Sequence, residues 1–331
     1  RDFHNYIKTK LIGGVCSTFK KAIKVLDLSC GRGGDIQKYI HRDVNPSFLM
    51  GIDISNNVNE ACQRYSNEKT SVKGLFIRGD TSLNIKTRKC QNINDISEAE
   101  KLHTDTMLRI VYDMDTDTIP DSYRSVVSSY KKLALNGFDV ISSQFSIHYY
   151  FKNQETLDGF IQNIGENIKS GGYFIGTCYD GMKVFNLPDP TTEMIDEFGN
   201  LVYRIDKKYS ISDFTYDESD KSNMLGNQID VYMDSIGQTI PEYLVNFEYF
   251  ISVMKENGFV NMIPTGIKQP HSSLFKKSYV SDGFGDFESI VNDLETFSDD
   301  PDYTKKIDPL LYNEELKTLT SLNKYFIFQK E

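Results

Sequence analysis

The stretch VLDLSCGRGGD, residues 25–35, passes from an apolar run into a glycine turn and on into the start of a helix. KVLDL (24–28) has the length and composition of a short strand, the turn spans Gly31 to Gly34, and a helical pattern follows from Asp35 to His41. A strand, a glycine turn and a helix N-terminus in succession are where open α/β sheets bind nucleotides. Glycine serves there because it lets the backbone approach a ligand closely.

Working outward, FLMGIDI (48–54) reads as a second strand, NVNEACQRY (57–65) as a helix and GLFIRGD (74–80) as a third strand. A helical stretch near 121–135 precedes a fourth strand, GFDVISSQF (137–145). In ETLDGFIQNIGENIK (155–169) apolar residues recur at 157, 160, 161, 164 and 168, a helical period. Ser170-Gly171-Gly172 stops it, and YFIGTCY (173–179) is a fifth strand. Strands alternating with helices imply βαβ units and a parallel sheet. Beyond this, residues 198–233 alternate apolar and polar side chains between turn-like breaks, as antiparallel strands do. Pro241 marks an expected helix start, with 241–258 as the helix and Gly258 as its stop. FVNMIPTGI (259–267) and NKYFIFQ (323–329) read as closing strands. Residues 85–120 and 278–308 read as polar excursions from the core, the first inserted between strands three and four.

The chain has 331 residues, enough for one large domain or two moderate ones. At 39% hydrophobic and 25% charged it fits a soluble globular protein and excludes long disorder or a collagen-like fibre. No apolar run approaches the ~18 residues of a membrane span, and RDFHNYIKTK (1–10) lacks the apolar region of a signal peptide. Without a starting Met, the chain is expected to be a fragment of a longer polypeptide. Cys16, Cys30, Cys62, Cys90 and Cys178 are scattered, odd in number and form no CxxC, which disfavours a disulfide scaffold or a zinc site and suits a reducing compartment. A net charge of -10 argues against generic duplex binding. The charge is unevenly spread: residues 1–42 carry nine Lys/Arg against three acids, and residues 278–304 carry eight acids and no base. A small polyanion can dock at the basic end; the plain alternative is a solvated charged surface.

Three nucleotide chemistries compete for the glycine turn. A nicotinamide dinucleotide wants GxGxxG, and Gly31 and Gly33 fit its first two places, but Ile36 occupies the third, where a small residue is needed. A Walker A loop needs GK[ST], which is absent. S-adenosylmethionine has no pyrophosphate, so a looser glycine turn flanked by acids suffices. Asp53, 22 positions after Gly31, suits two ribose hydroxyls, and Asp80 at the next strand end suits an adenine amino group. GRGGD alone equally describes a structural turn; the two acids at successive strand ends favour the donor.

At this point the sequence resembles the eukaryotic-type mRNA cap guanine-N7 methyltransferases. RDFHNYIKTKLI (1–12) resembles the family's RDFNNWxKxxLI, and VLDLSCGRGGDIQKY (25–39) its VLDLGCGKGGDLxKW. ACQRY (61–65), FIRGD (76–80), SSQFSIHYYF (142–151), SGGYFIGT (170–177), IPEYLVNF (240–247) and NKYFIFQK (323–330) follow in family order. The implied fold is a class I, Rossmann-like α/β methyltransferase: a mostly parallel seven-stranded sheet with an antiparallel C-terminal edge and inserted antiparallel strands. The expected organisation is a single domain, 1–331, with a donor-binding core and N-terminal helical arm over 1–180 and cap-binding insertions and closing strands over 181–331. The resemblance extends to the methyltransferase domain of multifunctional capping enzymes of large cytoplasmic DNA viruses. It implies linked triphosphatase and guanylyltransferase domains, a stimulatory subunit as a further partner, a capped RNA 5′ end as acceptor, a cytoplasmic location (viral factory or virion), no membrane and no metal.

Carried over position by position, the resemblance implies donor contacts at Lys8, Ser29 and Gly31 with Asp27 behind them, Asp53, Asp80 and Gln144. It implies cap contacts at His4, Asn5, Arg32, Lys38, Arg64, His148, Tyr149, Glu242 and Tyr325. Three positions depart from the family: His4 stands where Asn is usual, Ser29 replaces the motif's first glycine, and Arg32 replaces Lys, offering a fork in place of a point charge.

These residue types suit methyl transfer to guanine N7. That nitrogen carries a free lone pair, so no proton has to leave and no general base is required. Proximity and orientation then supply roughly 7–11 kcal/mol, and a carboxylate near the base, Glu242, favours a transition state in which guanine becomes cationic. Each assignment has a structural alternative: Glu242 as a first-turn acid complementing a helix dipole, His148 and Tyr149 as packed core residues, Tyr325 as an interior strand aromatic, and Lys8, Arg32, Lys38 and Arg64 as surface charges. Two other functions stay open, a methyltransferase acting on another RNA or small molecule, and an inactive methyltransferase-like subunit that stimulates a partner. The latter is expected to lose donor-site acids, yet Asp53 and Asp80 are present.

Overall fold

A computed structural model of the chain describes residues 1–331 apart from 42, 45, 298, 299, 301, 302, 304–306 and 308. Arg42 of the basic stretch and Asp299 and Asp302 of the acidic one therefore lie outside the described residues. After α1 (Asp2–Cys16), strands and helices alternate: β1 (Ile23–Leu28), α2 (Ile36–Ile40), β2 (Pro46–Asp53), α3 (Val58–Ser66), β3 (Lys73–Arg78), α4 (Glu98–Tyr112), α5 (Arg124–Tyr130), β4 (Phe138–Gln144), α6 (Gln154–Asn167) and β5 (Ile168–Tyr179). The second half holds α7 (Gly181–Phe185), β6 (Thr191–Ile195), β7 (Leu201–Lys207), β8 (Gln228–Met233), β9 (Gln238–Tyr243), α8 (Phe247–Glu256), β10 (Phe259–Asn261), β11 (Val280–Ser281), β12 (Phe284–Asp286), α9 (Phe287–Val291), α10 (Pro309–Tyr312), α11 (Glu314–Ser321) and β13 (Asn323–Lys330).

Among the described residues nine strands form one sheet, in the order β11-β12-β13-β5-β4-β1-β2-β3, with β10 also on β13. β3, β2, β1, β4 and β5 are mutually parallel, while β13 runs antiparallel to β5 and to its other neighbours. Side chains alternate across the sheet, so Leu26, Leu28, Met50 and Ile52 enter one core while Ile23, Val25 and Leu49 enter the other. The chain leaves β1 toward β2 and β3 on one side and returns at β4 on the other. This reversal opens a crevice at the carboxyl ends of β1 and β4, where such sheets bind ligands. The Rossmann-like α/β architecture matches the expectation, extended by the short strands β11 and β12. β6–β9 form a separate antiparallel sheet in sequence order.

Three expectations need correction. Residues 85–120 are no polar excursion: α4 starts on a capping box between Ser97 and Glu100 and buries Met107, Leu108, Ile110, Val111 and Tyr112. Its apolar stripe occupies only the second half of the helix, and the polar first half hides the period. Residues 278–308 likewise supply Phe287, Ile290, Val291, Leu294 and Phe297 to the core under α1. The helix expected at Pro241 starts instead at Phe247, where Asn246 caps it by accepting from Tyr249 N–H at 3.0 Å. Pro241 lies in β9, opposite Asp230. β9 is an edge strand, which tolerates a residue with no N–H.

Candidate active site

The chain reverses sharply after β1. Ser29, Gly31 and Gly33 all have positive φ, at 68°, 52° and 72°. The N–H groups of Ser29 and Cys30 both donate to Ile52 O, at 2.8 and 3.1 Å, and Gly31 N–H donates to Asp53 Oδ2 at 2.7 Å. The turn is thus bonded to the end of β2. A Cβ on Gly33 would lie 3.0 Å from Ala61 Cα, so close packing of α3 requires this glycine, whereas a Cβ on Gly31 meets nothing within 4 Å. The space over Gly31 is open for a ligand. Asp53 Oδ1 accepts from Ser55 N–H and Oγ at 2.9 and 2.6 Å, which fixes the carboxylate and, with Gly31 on Oδ2, leaves one acceptor site on Oδ2. Asp80 lies two residues past the end of β3 and accepts from Ser82 N–H and Oγ at 2.8 and 2.7 Å.

Behind the turn, burial and the neighbouring Asp35 carboxylate push Asp27 well above the usual carboxyl range, against the pull of Lys8. Asp35 itself is claimed by two lysines. Lys8 Nζ lies 2.8 Å from Oδ1 and 3.0 Å from Oδ2, and Lys38 Nζ lies 2.8 Å from Oδ1. Burial raises the Asp35 carboxyl, but the two ammonium groups overcome it and hold the group below its ordinary value. Lys38 also donates to Asn5 Oδ1 at 3.2 Å and Gly34 O at 3.3 Å. Lys8 and Lys38 therefore converge on one acid, and Asn5 holds Lys38 from the other side. Lys38, like Lys8, has its ammonium held by Asp35. Arg32, its side chain 66% exposed, and Arg64 flank Glu60, at 3.6 and 2.5 Å.

Gln144 at the end of β4 donates to Ser142 Oγ and accepts from Thr177 Oγ1. The next residue, Phe145, has φ +53°, a conformation costly for a bulky side chain, and its ring stacks on His4 at 4.8 Å. Burial pushes His4 down to about 3, so its imidazole is neutral.

A 3-10 turn over Ile147–Lys152 carries His148, Tyr149 and Tyr150. His148 is buried, its two ring nitrogens have no hydrogen-bond partner, and Nε2 lies 3.5 Å from Glu242 Oε2. Glu242, on β9, is equally buried, and its Oε2 also lacks a partner. Burial moves these groups in opposite directions, His148 down to about 3 and Glu242 up to about 8. Tyr149 stands beside them, its ring 4.2 Å from that of His148, and remains 39% exposed.

Tyr325 does not join this group. It is fully buried on β13 and donates to Leu274 O at 3.0 Å, the packing that the interior-aromatic alternative expects. Four site residues escaped the sequence reading. Asp35 sits within the quoted motif beside Lys38, three residues on, but its second lysine, Lys8, is 27 positions away. Glu60 has only its i,i+4 spacing to Arg64 as a signal, and Phe145 has none. Tyr150 was shadowed by its neighbour Tyr149, although its hydroxyl bonds both Ser29 and Thr81.

Residues 1–282 match the model of the mRNA (guanine-N(7))-methyltransferase domain. The probable mRNA-capping enzyme of Acanthamoeba polyphaga mimivirus is 28% identical over an alignment that covers 100% of this chain and 27% of that protein. The mRNA cap guanine-N(7) methyltransferase of Cryptococcus neoformans is 26% identical, covering 78% of this chain and 30% of that protein. This chain thus spans under a third of either relative's length. Among solved structures, an S-adenosylmethionine-dependent methyltransferase from Mesorhizobium loti aligns over 98% of this chain and 96% of its own, at 12% identity and a TM-score of 0.47. With most of its length matched by one family model, the chain belongs to the mRNA (guanine-N(7))-methyltransferase domain family.

Proposed function

We propose that this chain transfers the methyl group of S-adenosylmethionine to N7 of the guanosine cap on an RNA 5′ end. The carrying observation is the pair His148 and Glu242, two buried groups with unpartnered polar atoms beside a half-exposed tyrosine face. Buried polar atoms are rarely left without partners. Guanine offers matching ones: N1–H and the exocyclic amine for Glu242, O6 for His148 and a π-face for Tyr149. Adenine lacks the paired donors, so the same contacts select the base.

The donor set fits S-adenosylmethionine. Asp53 suits the ribose hydroxyls, Asp80 the adenine amine, Lys8 the donor's carboxylate, and the space over Gly31 leaves the backbone accessible. S-adenosylmethionine supplies an electrophilic methyl carbon on a sulfonium. The N7 lone pair forms the new bond to that carbon, the carbon–sulfur electron pair stays on sulfur, and S-adenosylhomocysteine leaves. No proton moves, so His148 and Glu242 orient the base and exclude water without acting as acid or base. As guanine becomes cationic, the Glu242 carboxylate stabilises the developing charge. Arg32 and Arg64 hold the cap triphosphate, exchanging Glu60 for phosphate oxygens.

In this reading residues 1–180 hold the donor and 181–331 contribute Glu242. A guanylyltransferase acts first, because the acceptor is the guanosine it adds. The five free cysteines suit the reducing cytoplasm. The test is transfer of labelled methyl from S-adenosylmethionine to GpppA-capped RNA, with uncapped and triphosphate-ended RNA as controls. Cap-dependent label recovered as 7-methylguanosine is expected. Label on the uncapped RNA or at another position would refute the acceptor assignment.

A further inference from the structure

We propose that Tyr150 is a positioning residue for the methyl donor, its hydroxyl joining the glycine turn to the turn that carries Asp80. This rests on the donor assignment above. Ser29 occupies the left-handed region, at φ +68°, which side chains other than glycine adopt at a cost. Something has to hold it there. Its Oγ lies 2.8 Å from Tyr150 OH, and the same hydroxyl bonds Thr81 Oγ1. Tyr150 is nearly buried, and its ring stacks on Phe160 at 3.7 Å, so the oxygen has little freedom. The far end is equally fixed: Asn163 Nδ2 donates to Thr81 O at 2.8 Å, and Asn163 Oδ1 accepts from Ile85 N–H at 2.9 Å.

The hydroxyl bridge spans the two places where the donor must be gripped. On one side Ser29 opens the turn whose Gly31 N–H is bonded to Asp53. On the other, Thr81 directly follows Asp80. Without the bridge, the turn after β1 and the turn after β3 lose their direct side-chain link and stay joined through the end of β2, where Gly31 N–H meets Asp53 Oδ2 and Gly79 N–H meets Asp53 O, so the ribose and adenine contacts share a looser frame. Tyr150 also shares its 3-10 turn with His148 and Tyr149, so one short segment sets both the donor frame and the acceptor face.

The test removes one oxygen. Tyr150→Phe keeps the stack on Phe160. Its S-adenosylmethionine dissociation constant, measured by calorimetry, is expected to rise about tenfold, the scale of one buried hydrogen bond. KM for the donor rises in parallel, while kcat at saturating donor falls far less. Ser29→Ala removes the other end of the bond and is expected to show the same loss; it also serves if Tyr150→Phe folds poorly. In a Ser29→Gly background, Tyr150→Phe adds little. Wild-type affinity in both single variants, or an undiminished Tyr150→Phe effect in the Ser29→Gly background, would overturn the proposal. Failure of the wild-type chain to bind S-adenosylmethionine would instead refute the donor assignment itself.

Discussion

His148 Nε2 and Glu242 Oε2 lie 3.5 Å apart, yet the two residues do not form an ion pair. Burial pushes the imidazole down to about 3 and the carboxyl up to about 8, so it favours the neutral form of each. Leaving a buried polar group without a partner costs about 1–3 kcal/mol. A ligand bearing N–H donors and a carbonyl would relieve that cost at both groups, as the proposed guanine acceptor would.

Glu242→Gln separates stability from function. The native carboxyl holds its proton to about pH 8, whereas the unfolded one releases it near 4.5, so this group's contribution to stability falls as pH rises between those values. Glutamine has no proton to lose. The variant is expected to melt several degrees above wild type at pH 9 and to converge with it near pH 4. Its kcat/KM for capped RNA falls about 10–100-fold, the scale of a charged hydrogen bond, and donor affinity stays within about twofold. Thermal melts at both pH values, with cap kinetics and donor calorimetry, check all three expectations.

The pH profile of wild type follows from the same residue. Accepting from guanine N1–H and the amine requires the carboxylate, so kcat/KM for capped RNA should climb with pH through an apparent pKa near 8. Glu242→Gln removes that limb. If the variant showed the same rise, another group would be responsible.

Lys10 and Asp300 test the role of the acidic C-terminal stretch. Lys10 on α1 is fully buried, with Nζ 2.5 Å from Asp300 Oδ1 and 3.2 Å from Pro270 O. The stretch therefore secures the N-terminal helix that carries Asn5 and Lys8. Lys10→Met removes the buried ammonium from its pair with Asp300 and is expected to cost about 3–5 kcal/mol by urea unfolding. Adding Asp300→Asn recovers much of the loss. A single-variant loss under about 1 kcal/mol would mean the pair behaves like an exposed one.

Tyr325→Phe tests the interior placement. Losing the bond to Leu274 O is expected to lower stability by about 1 kcal/mol. Cap kinetics should stay within about twofold. A tenfold rise in KM for capped RNA would return Tyr325 to the acceptor site.

How much of this was legible in the sequence depended on the range of the interactions. The glycine turn, the parallel strands and Asp53 were readable because apolar runs and glycine positions are local signals. Pro241 misled because a proline marks a helix start and an edge strand equally well, and only the pairing opposite Asp230 decides. Residues 278–308 looked peripheral because their acids outnumber their buried side chains, and the burial of Phe287 and Phe297 depends on α1, far away in sequence. The Asp35 clamp and the Tyr150 bridge join residues 27 and 121 positions apart from their partners, beyond any periodic signal.

Asp53→Ala is the sharpest test of the donor site, because Asp53 has two tasks. Its Oδ2 accepts from Gly31 N–H, and the acceptor site left on that oxygen suits a ribose hydroxyl. Alanine removes both the ligand contact and the bond that holds the turn, so donor binding should fall below detection by calorimetry. Asp53→Asn keeps an acceptor for Gly31 N–H and loses the charge. It is expected to bind the donor weakly, about 10–100-fold below wild type. Equal losses in the two variants would assign the whole effect to the ribose contact. Wild-type affinity in Asp53→Ala would mean that the donor lies elsewhere along the sheet edge.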